Sequence, residues 1–214
     1  CPGGVIMSVT IKSAREIELM RQAGKILASV HEELGKALCP GMSTMDIDRL
    51  GEKLIRSHGC IPSFKNYNGY PASICVSVND EVVHGIPSKH RIIREGDIVS
   101  LDAGVIYHGY HSDAARTHAI GKITPEAEKL IQVTRESFFE GIKFAKAGNH
   151  LNDISSAIQA YAESFGYGVV RDLVGHGIGD HLHEEPEIPN FAQKRKGIRL
   201  MPGMTLAIEP MINA

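Results

Sequence analysis

At 214 residues, with 43% hydrophobic and 22% charged side chains, the chain is long enough to bury a substantial core, which excludes a disordered tail or a fibre. Its formal net charge of −2 gives no global electrostatic reason to bind DNA or other nucleic acid, whose affinity rests on many Lys and Arg contacts to phosphate. No apolar run approaches the roughly 20 residues a membrane span needs, and the opening Cys-Pro-Gly-Gly-Val-Ile lacks the basic and then apolar pattern of an export signal.

The cysteines, Cys1, Cys39, Cys60 and Cys75, are widely scattered and form neither a CxxC pair nor a dense disulfide framework, so a reducing, cytoplasmic location is expected. Met7 followed by Ser-Val-Thr-Ile-Lys reads as a natural start. Residues 1–7 are therefore set apart as a leader or expression remnant, and residues 8–214 as the folded domain.

In chain order, Ser13-Ala-Arg-Glu16 predicts a helix start, the Ser capping and the Glu reaching back to the cap. Ile17, Met20, Ala23, Gly24, Leu27, Val30, Leu34 and Leu38 give it an apolar face, and Cys39-Pro40-Gly41 ends it. A second helix runs from Ser43 or Thr44 through Ile47, Leu50, Leu54 and Ile55 to a stop at Gly59. The texture then changes to short β-branched runs, Ile74–Val78, Ile98–Ile106 and the segment after Tyr110, which read as strands. Thr124-Pro125 opens another helix, with proline at its first position, running to Gly148; a fourth resumes near Asn152 and ends at Gly166. Strand-like Val169-Val170 and Met204–Ile208 follow. The order helix, helix, strands occurs twice, which predicts an α+β domain of two similar halves whose strands share a sheet.

The most informative string is Asp97-Ile-Val-Ser-Leu-Asp102-Ala-Gly-Val-Ile-Tyr-His-Gly-Tyr-His-Ser-Asp113. A hairpin turning at Tyr107-His108-Gly109 would set Asp102 opposite Asp113, with Cβ atoms about 5 Å apart on one face. A cation between them would remove the repulsion, and paired metals about 3.5–4 Å apart need carboxylates at this spacing. Aspartates are also common at strand ends and turns, so the spacing leaves both readings open. Gly175-His176-Gly177-Ile178-Gly179 and His183-Glu184-Glu185-Pro186 put imidazoles and carboxylates into what reads as a glycine-rich loop, where backbone can approach an ion closely. His176 is the candidate ligand there and His183 the candidate substrate contact. Glu209 closes an apolar strand where a solvated charge would be ordinary. Together Asp, Asp, His and Glu form a mixed oxygen and nitrogen set suited to Mn, Fe, Co or Zn rather than a structural thiolate zinc. His111, two residues before Asp113, is expected to support the ligands. His84, between valine and glycine, reads as structural when taken singly. His31, His58, His90 and His150 sit in helical or polar contexts that suggest no role. The Lys194-Arg-Lys-Gly-Ile-Arg199 run reads as a solvated loop.

Over nearly all of residues 8–214 the pattern resembles the type I methionine aminopeptidases of the pita-bread metallopeptidase class. The strings that carry the resemblance are Ser77-Val-Asn-Asp-Glu-Val-Val-His-Gly-Ile-Pro87, Asp97–Asp102, Ser112-Asp113, Gly175–Gly179, His183–Pro186 and Pro202-Gly-Met-Thr-Leu-Ala-Ile-Glu-Pro-Met211. The Val-His-Gly-Ile-Pro segment separates this branch from proline-specific aminopeptidases and creatinase-like proteins. The resemblance implies a fold of two pseudo-symmetric halves around a central antiparallel sheet. It also implies two divalent ions held by Asp102, Asp113, His176 and Glu209, with Asp113 bridging. Hydroxide attack at that two-metal site would remove the N-terminal methionine of nascent proteins, with His183 stabilising the oxyanion, His84 contacting the scissile amide and Glu209 also shuttling a proton. Tyr67, Tyr70 and Cys75 match positions lining the methionine pocket, where a polarisable cleft suits a thioether.

The family pattern has a further bridging Glu and a pocket tryptophan on later strands. Neither falls within this chain, which contains no Trp. The expectation is therefore a domain whose C-terminal strands are missing. Leu182 stands where the family often has Phe. A monomer is expected, with the ribosome a hypothetical partner through the Lys194–Arg199 run. The competing readings are an inactive pita-bread protein that binds peptides, and a proline-specific aminopeptidase.

Overall fold

The computed structural model describes residues 8–214, so the leader assigned to 1–7 lies outside the described residues. The chain divides into two compact units, one of residues 18–132 and the other of residues 8–17 with 133–214.

α1 (Ala14–Ala37), which from Glu18 onward belongs to the first unit, begins where Ser13 and Glu16 predict it. The Ser13 N–H donates to the Glu16 carboxylate at 2.6 Å and the Glu16 N–H to Ser13 Oγ at 3.3 Å. α2 (Thr44–Ser57) carries the same device, with Ser43 as cap and Asp46 in the reciprocal place. Ala23, Leu27, Val30 and Leu34 recur at helical spacing, so one face of α1 is buried. With Ile47 and Ile55 of α2 it covers an antiparallel sheet of β1 (Ile61–Pro62), β2 (Ile74–Val78), β3 (Ile98–Tyr107) and β4 (Tyr110–Ala119). Both β1 and β2 pair with β3, and β4 pairs along its other edge. Val99, Leu101, Ala103 and Val105 alternate inward to complete the core. Leu101→Ala would remove a fully buried side chain from it, at a cost of about 2–5 kcal/mol.

α3 (Pro125–Ile142), which belongs to the second unit from Val133 onward, and α4 (Leu151–Ser164) are followed by five short strands: β5 (Gly168–Val169), β6 (Gly175–Gly177), β7 (Glu184–Ile188), β8 (Leu206–Ala207) and β9 (Ile212–Asn213). β5 pairs with β9, and β6 lies between β7 and β8. Leu151, Ile154 and Ile158 of α4 bury with Ile188 and Leu200. At Gly141 α3 packs tightly on α4, since a Cβ there would meet Ile158 Cγ1 at 2.7 Å.

Several expectations change. α3 stops at Ile142 rather than running to Gly148, because the N–H groups of Phe144 and Ala145 turn back to carbonyls only three residues earlier. The glycine-rich stretch around His176 is a buried strand, not a loop: its glycines let neighbouring backbones close in, and a Cβ at Gly175 would strike the Ala207 carbonyl. Strand pairing within Met204–Ile208 is confined to Leu206–Ala207, and β9, unanticipated, closes on β5. Among the described residues each of the three ladders forms within one unit. No helix among the described residues is long and apolar enough to cross a membrane.

Candidate metal centre

In the first unit the β3–β4 hairpin turns on His108 and Gly109, both at positive φ (47° and 86°), the two-residue loop whose twist matches its strands. That turn fixes the register. Asp102 faces Ala115 and Asp113 faces Gly104, so the aspartates are not directly opposed as the sequence suggested. A turn centred one residue earlier would have opposed them. In the observed register they share a face as diagonal neighbours, a relation that sets Cβ atoms about 7–8 Å apart. Both are half-buried. Gly104, opposite Asp113, allows the preceding loop to lie on the sheet: a Cβ there would meet Ser63 Cβ at 2.8 Å and Phe64 Cε1 at 3.0 Å. Ser63 Oγ in turn lies 2.9 Å from Nδ1 of buried His111, so His111 braces β4 against that loop.

On the neighbouring strand Cys75 pairs with Asp102, and burial, reinforced by the Asp102 and Asp113 charges, pushes its thiol up to about 12. It is a neutral, polarisable group at any ordinary pH. The Tyr70 hydroxyl lies 3.0 Å from the Ile74 carbonyl and 3.2 Å from that of Gly85, and burial raises it well above the usual phenol range. Tyr67 begins the short 3-10 turn Tyr67–Gly69 just before it. The Val82–Pro87 string is pinned at Gly85: its N–H donates to Ser77 Oγ at 3.0 Å and its carbonyl accepts from the Val76 N–H at 3.0 Å. His84 is thereby held exposed, at φ 57°.

In the second unit His176 sits at the centre of β6, 6% exposed, with Nδ1 2.8 Å from the Gly177 carbonyl. A carbonyl only accepts, so Nδ1 carries the proton and Nε2 keeps its lone pair in the neutral ring. Nε2 faces Glu209 Oε1 at 3.2 Å. Two acceptors face each other at that distance only with a proton or a cation to share, and an imidazole oriented through its other nitrogen is how ligating histidines are held. This donor pair fits a divalent ion of the Mn to Zn series. The ring of exposed His183 lies 4.1 Å from that of His176. Glu209 is fixed through its backbone, whose carbonyl accepts from Nδ2 of fully buried Asn190 at 2.7 Å.

Asn190 is one of four functional side chains that sequence reasoning missed. Asp48 is buried and takes the Ser73 and Ile74 N–H groups at 2.8 and 3.0 Å, anchoring the start of β2. His31 is fully buried, and its Nε2 donates to the Ala114 carbonyl, next to Asp113, at 2.7 Å. Lys12 makes a buried ion pair with Glu184. For His31 the signal was available: it falls on the apolar stripe of α1, one residue from Val30. Asp180, His181 and Glu184 also bring ligand atoms within 4.8 Å of one another, but Glu184 is engaged by Lys12, and Asp180 and His181 are exposed.

The hairpin carboxylates, and the imidazole that faces a glutamate, are the mixed oxygen and nitrogen donors that suit a divalent ion. The model of metallopeptidase family M24 matches residues 18–214. The methionine aminopeptidase of Clostridium acetobutylicum is 59% identical over 205 residues, 96% of this chain and 82% of that protein. The crystal structure of methionine aminopeptidase from Rickettsia prowazekii agrees with a TM-score of 0.94 at 39% identity, over 97% of this chain and 83% of that one. The Xaa-Pro dipeptidase from Bacillus anthracis is more distant, with a TM-score of 0.82 at 29% identity, over 94% of this chain and 54% of its own. The chain belongs to metallopeptidase family M24, in its type I methionine aminopeptidase branch. It is thus a metallopeptidase that works with divalent metal, built on the pita-bread fold that the resemblance implied.

Proposed function

We propose that this chain removes the N-terminal methionine from newly made proteins, with two divalent ions held by Asp102, Asp113, His176 and Glu209. The observation that carries the reading is His176, its tautomer fixed by Gly177 and its Nε2 facing Glu209 Oε1 at 3.2 Å, in a chain 59% identical to a methionine aminopeptidase. When bound, the ions supply an activated water near neutral pH and positive charge for the free α-amine. His183, exposed beside His176, donates to the oxygen of the scissile carbonyl as it gains charge. His84, exposed on its pinned loop, contacts the scissile amide. Glu209 also moves a proton from the water to the leaving amine. Cys75, Tyr67 and Tyr70 line the pocket for the methionine side chain, and a neutral buried thiol suits a thioether.

Mixed carboxylate and imidazole donors of this kind accept Fe, Mn, Co or Zn. We place the chain in the cytoplasm as a monomer, its exposed Lys194–Lys196 run docking on ribosomal RNA. Charge reversal at Lys194, Arg195 and Lys196 would weaken ribosome co-sedimentation if that docking holds.

Against the proline-specific reading stand the Val-His-Gly-Ile-Pro segment and the gap between 59% and 29% identity. The test is methionine release from Met-Ala-Ser by chelator-stripped protein titrated with Mn(II), Co(II) or Fe(II). Metal-dependent release abolished by Asp113→Ala supports the proposal. Cleavage only of peptides with proline second would replace it with the proline-specific reading, and binding of peptides without cleavage would favour the peptide-binding alternative.

A further inference from the structure

Lys12 and Glu184 are far apart in sequence, yet their side chains meet in a buried ion pair, 3% and 8% exposed. A buried pair of charges is a weak source of stability, because desolvation offsets most of the attraction and apolar replacements often serve as well. Its geometry is more specific. The Lys12 N–H donates to the Gly203 carbonyl at 2.8 Å, which anchors the lysine's backbone before α1 begins. Its Nζ donates to Glu184 Oε2. The other carboxylate oxygen, Oε1, accepts from the His181 N–H at 3.3 Å, so one side chain spans the turn from residue 181 to 184. The Gly179 N–H closes the same turn onto the His181 carbonyl at 3.0 Å. Gly179 also clears the path for the pair, since a Cβ there would fall 2.8 Å from Lys12 Nζ. Inside this turn Leu182 is 2% exposed and acts as an apolar anchor. The next residue, His183, points outward, its ring 4.1 Å from His176.

We infer that the Lys12–Glu184 pair is a positioning device for His183, clamping its backbone so that an exposed imidazole is held beside His176. The inference rests on the aminopeptidase reading for what His183 does there, but not for where it is held. Without the pair the turn that carries His183 would tilt, and a misplacement of about 1 Å in a catalytic group can cost on the order of a hundredfold in rate. Lys12 is then a positioning residue acting through Glu184.

The experiment compares the wild type, Lys12→Met and the double variant Lys12→Met/Glu184→Leu. The readouts are the thermal midpoint, kcat and KM on Met-Ala-Ser with saturating Mn(II), and the His183 ring resonances of the metal-free proteins. Lys12→Met leaves a buried carboxylate without its cation and lowers the midpoint. In the double variant, apolar packing restores the midpoint. The clamp predicts that kcat stays about tenfold to a hundredfold below wild type with KM changed less than about twofold, and that the His183 resonances shift or broaden. Recovery of kcat together with the midpoint, or unmoved His183 resonances, would overturn it. If wild type releases no methionine, the aminopeptidase reading fails while the His183 resonances still decide the clamp.

Discussion

β3 and β4 pair without a break from Ile98↔Ala119 to Tyr107↔Tyr110, whereas β6, β7 and β8 share only a few pairs, with a register shift between His176 and Gly177. The first region places its polar groups by ladder register. Once the His108-Gly109 loop is set, Asp102 and Asp113 have no freedom except their own χ angles. The second region has too little ladder to do this, and places its groups by individual ties: Gly177 holds the His176 ring, Asn190 holds the Glu209 backbone, and Lys12 holds Glu184. Substitutions should therefore act differently in the two regions: graded by side-chain chemistry in the hairpin, and sensitive to backbone approach and single hydrogen bonds in the short strands.

The largest effect is expected at Asp113, the proposed hairpin ligand. Asp113→Asn keeps shape and ladder, so the thermal midpoint should hold while methionine release falls by about a hundredfold to a thousandfold. Retained activity would show that this carboxylate's charge is not used. Next is Gly175→Ala, whose added Cβ lands on the Ala207 carbonyl and must push β6 from β8. We expect a loss of about 1–3 kcal/mol in urea unfolding, with weaker metal binding, because His176 moves with β6. Asn190→Ala should be smaller, about 1 kcal/mol for the lost bond to the Glu209 carbonyl. Calorimetric metal titration should show a several-fold weaker affinity, since the glutamate backbone is then untethered.

The first unit also carries a pH dependence. Burial holds the His31 imidazole down from 6.5 to about 4. The unfolded chain takes a proton below about pH 6.5 that the folded chain refuses until about pH 4. Stability should therefore fall as pH drops through that window, by at most about 1.4 kcal/mol per pH unit from this group. Measured against His31→Phe, the wild type should show the steeper slope, and parallel slopes would rule the histidine out.

The same contrast explains what could be read from the residues alone. Capping pairs such as Ser13 with Glu16, the apolar stripe of α1 and the β-branched runs of β2 and β3 are local and periodic, so the helices and the hairpin were legible. The candidate ligands were legible through their strings. The relation of Asp102 to Asp113 was not, because a one-residue choice of turn moves a carboxylate from opposite to diagonal. Around His176 the glycines suggested a loop, since in isolation a glycine signals freedom. In the fold they are positions where backbone comes close. Lys12, Asn190 and Asp48 were invisible as functional residues, because each acts on a partner at least 19 positions away, at a distance no periodicity encodes; for His31 the place on the α1 stripe was legible and only its distant partner, the Ala114 carbonyl, was not.

The most direct test of the central claim, that the carboxylate hairpin and the imidazole segment both supply metal ligands, is calorimetric titration of chelator-stripped protein with Mn(II). Wild type, Asp113→Asn and His176→Ala would be titrated side by side. The account predicts metal binding in the wild type that each single substitution weakens by at least about tenfold. Wild-type affinity in either variant would contradict it.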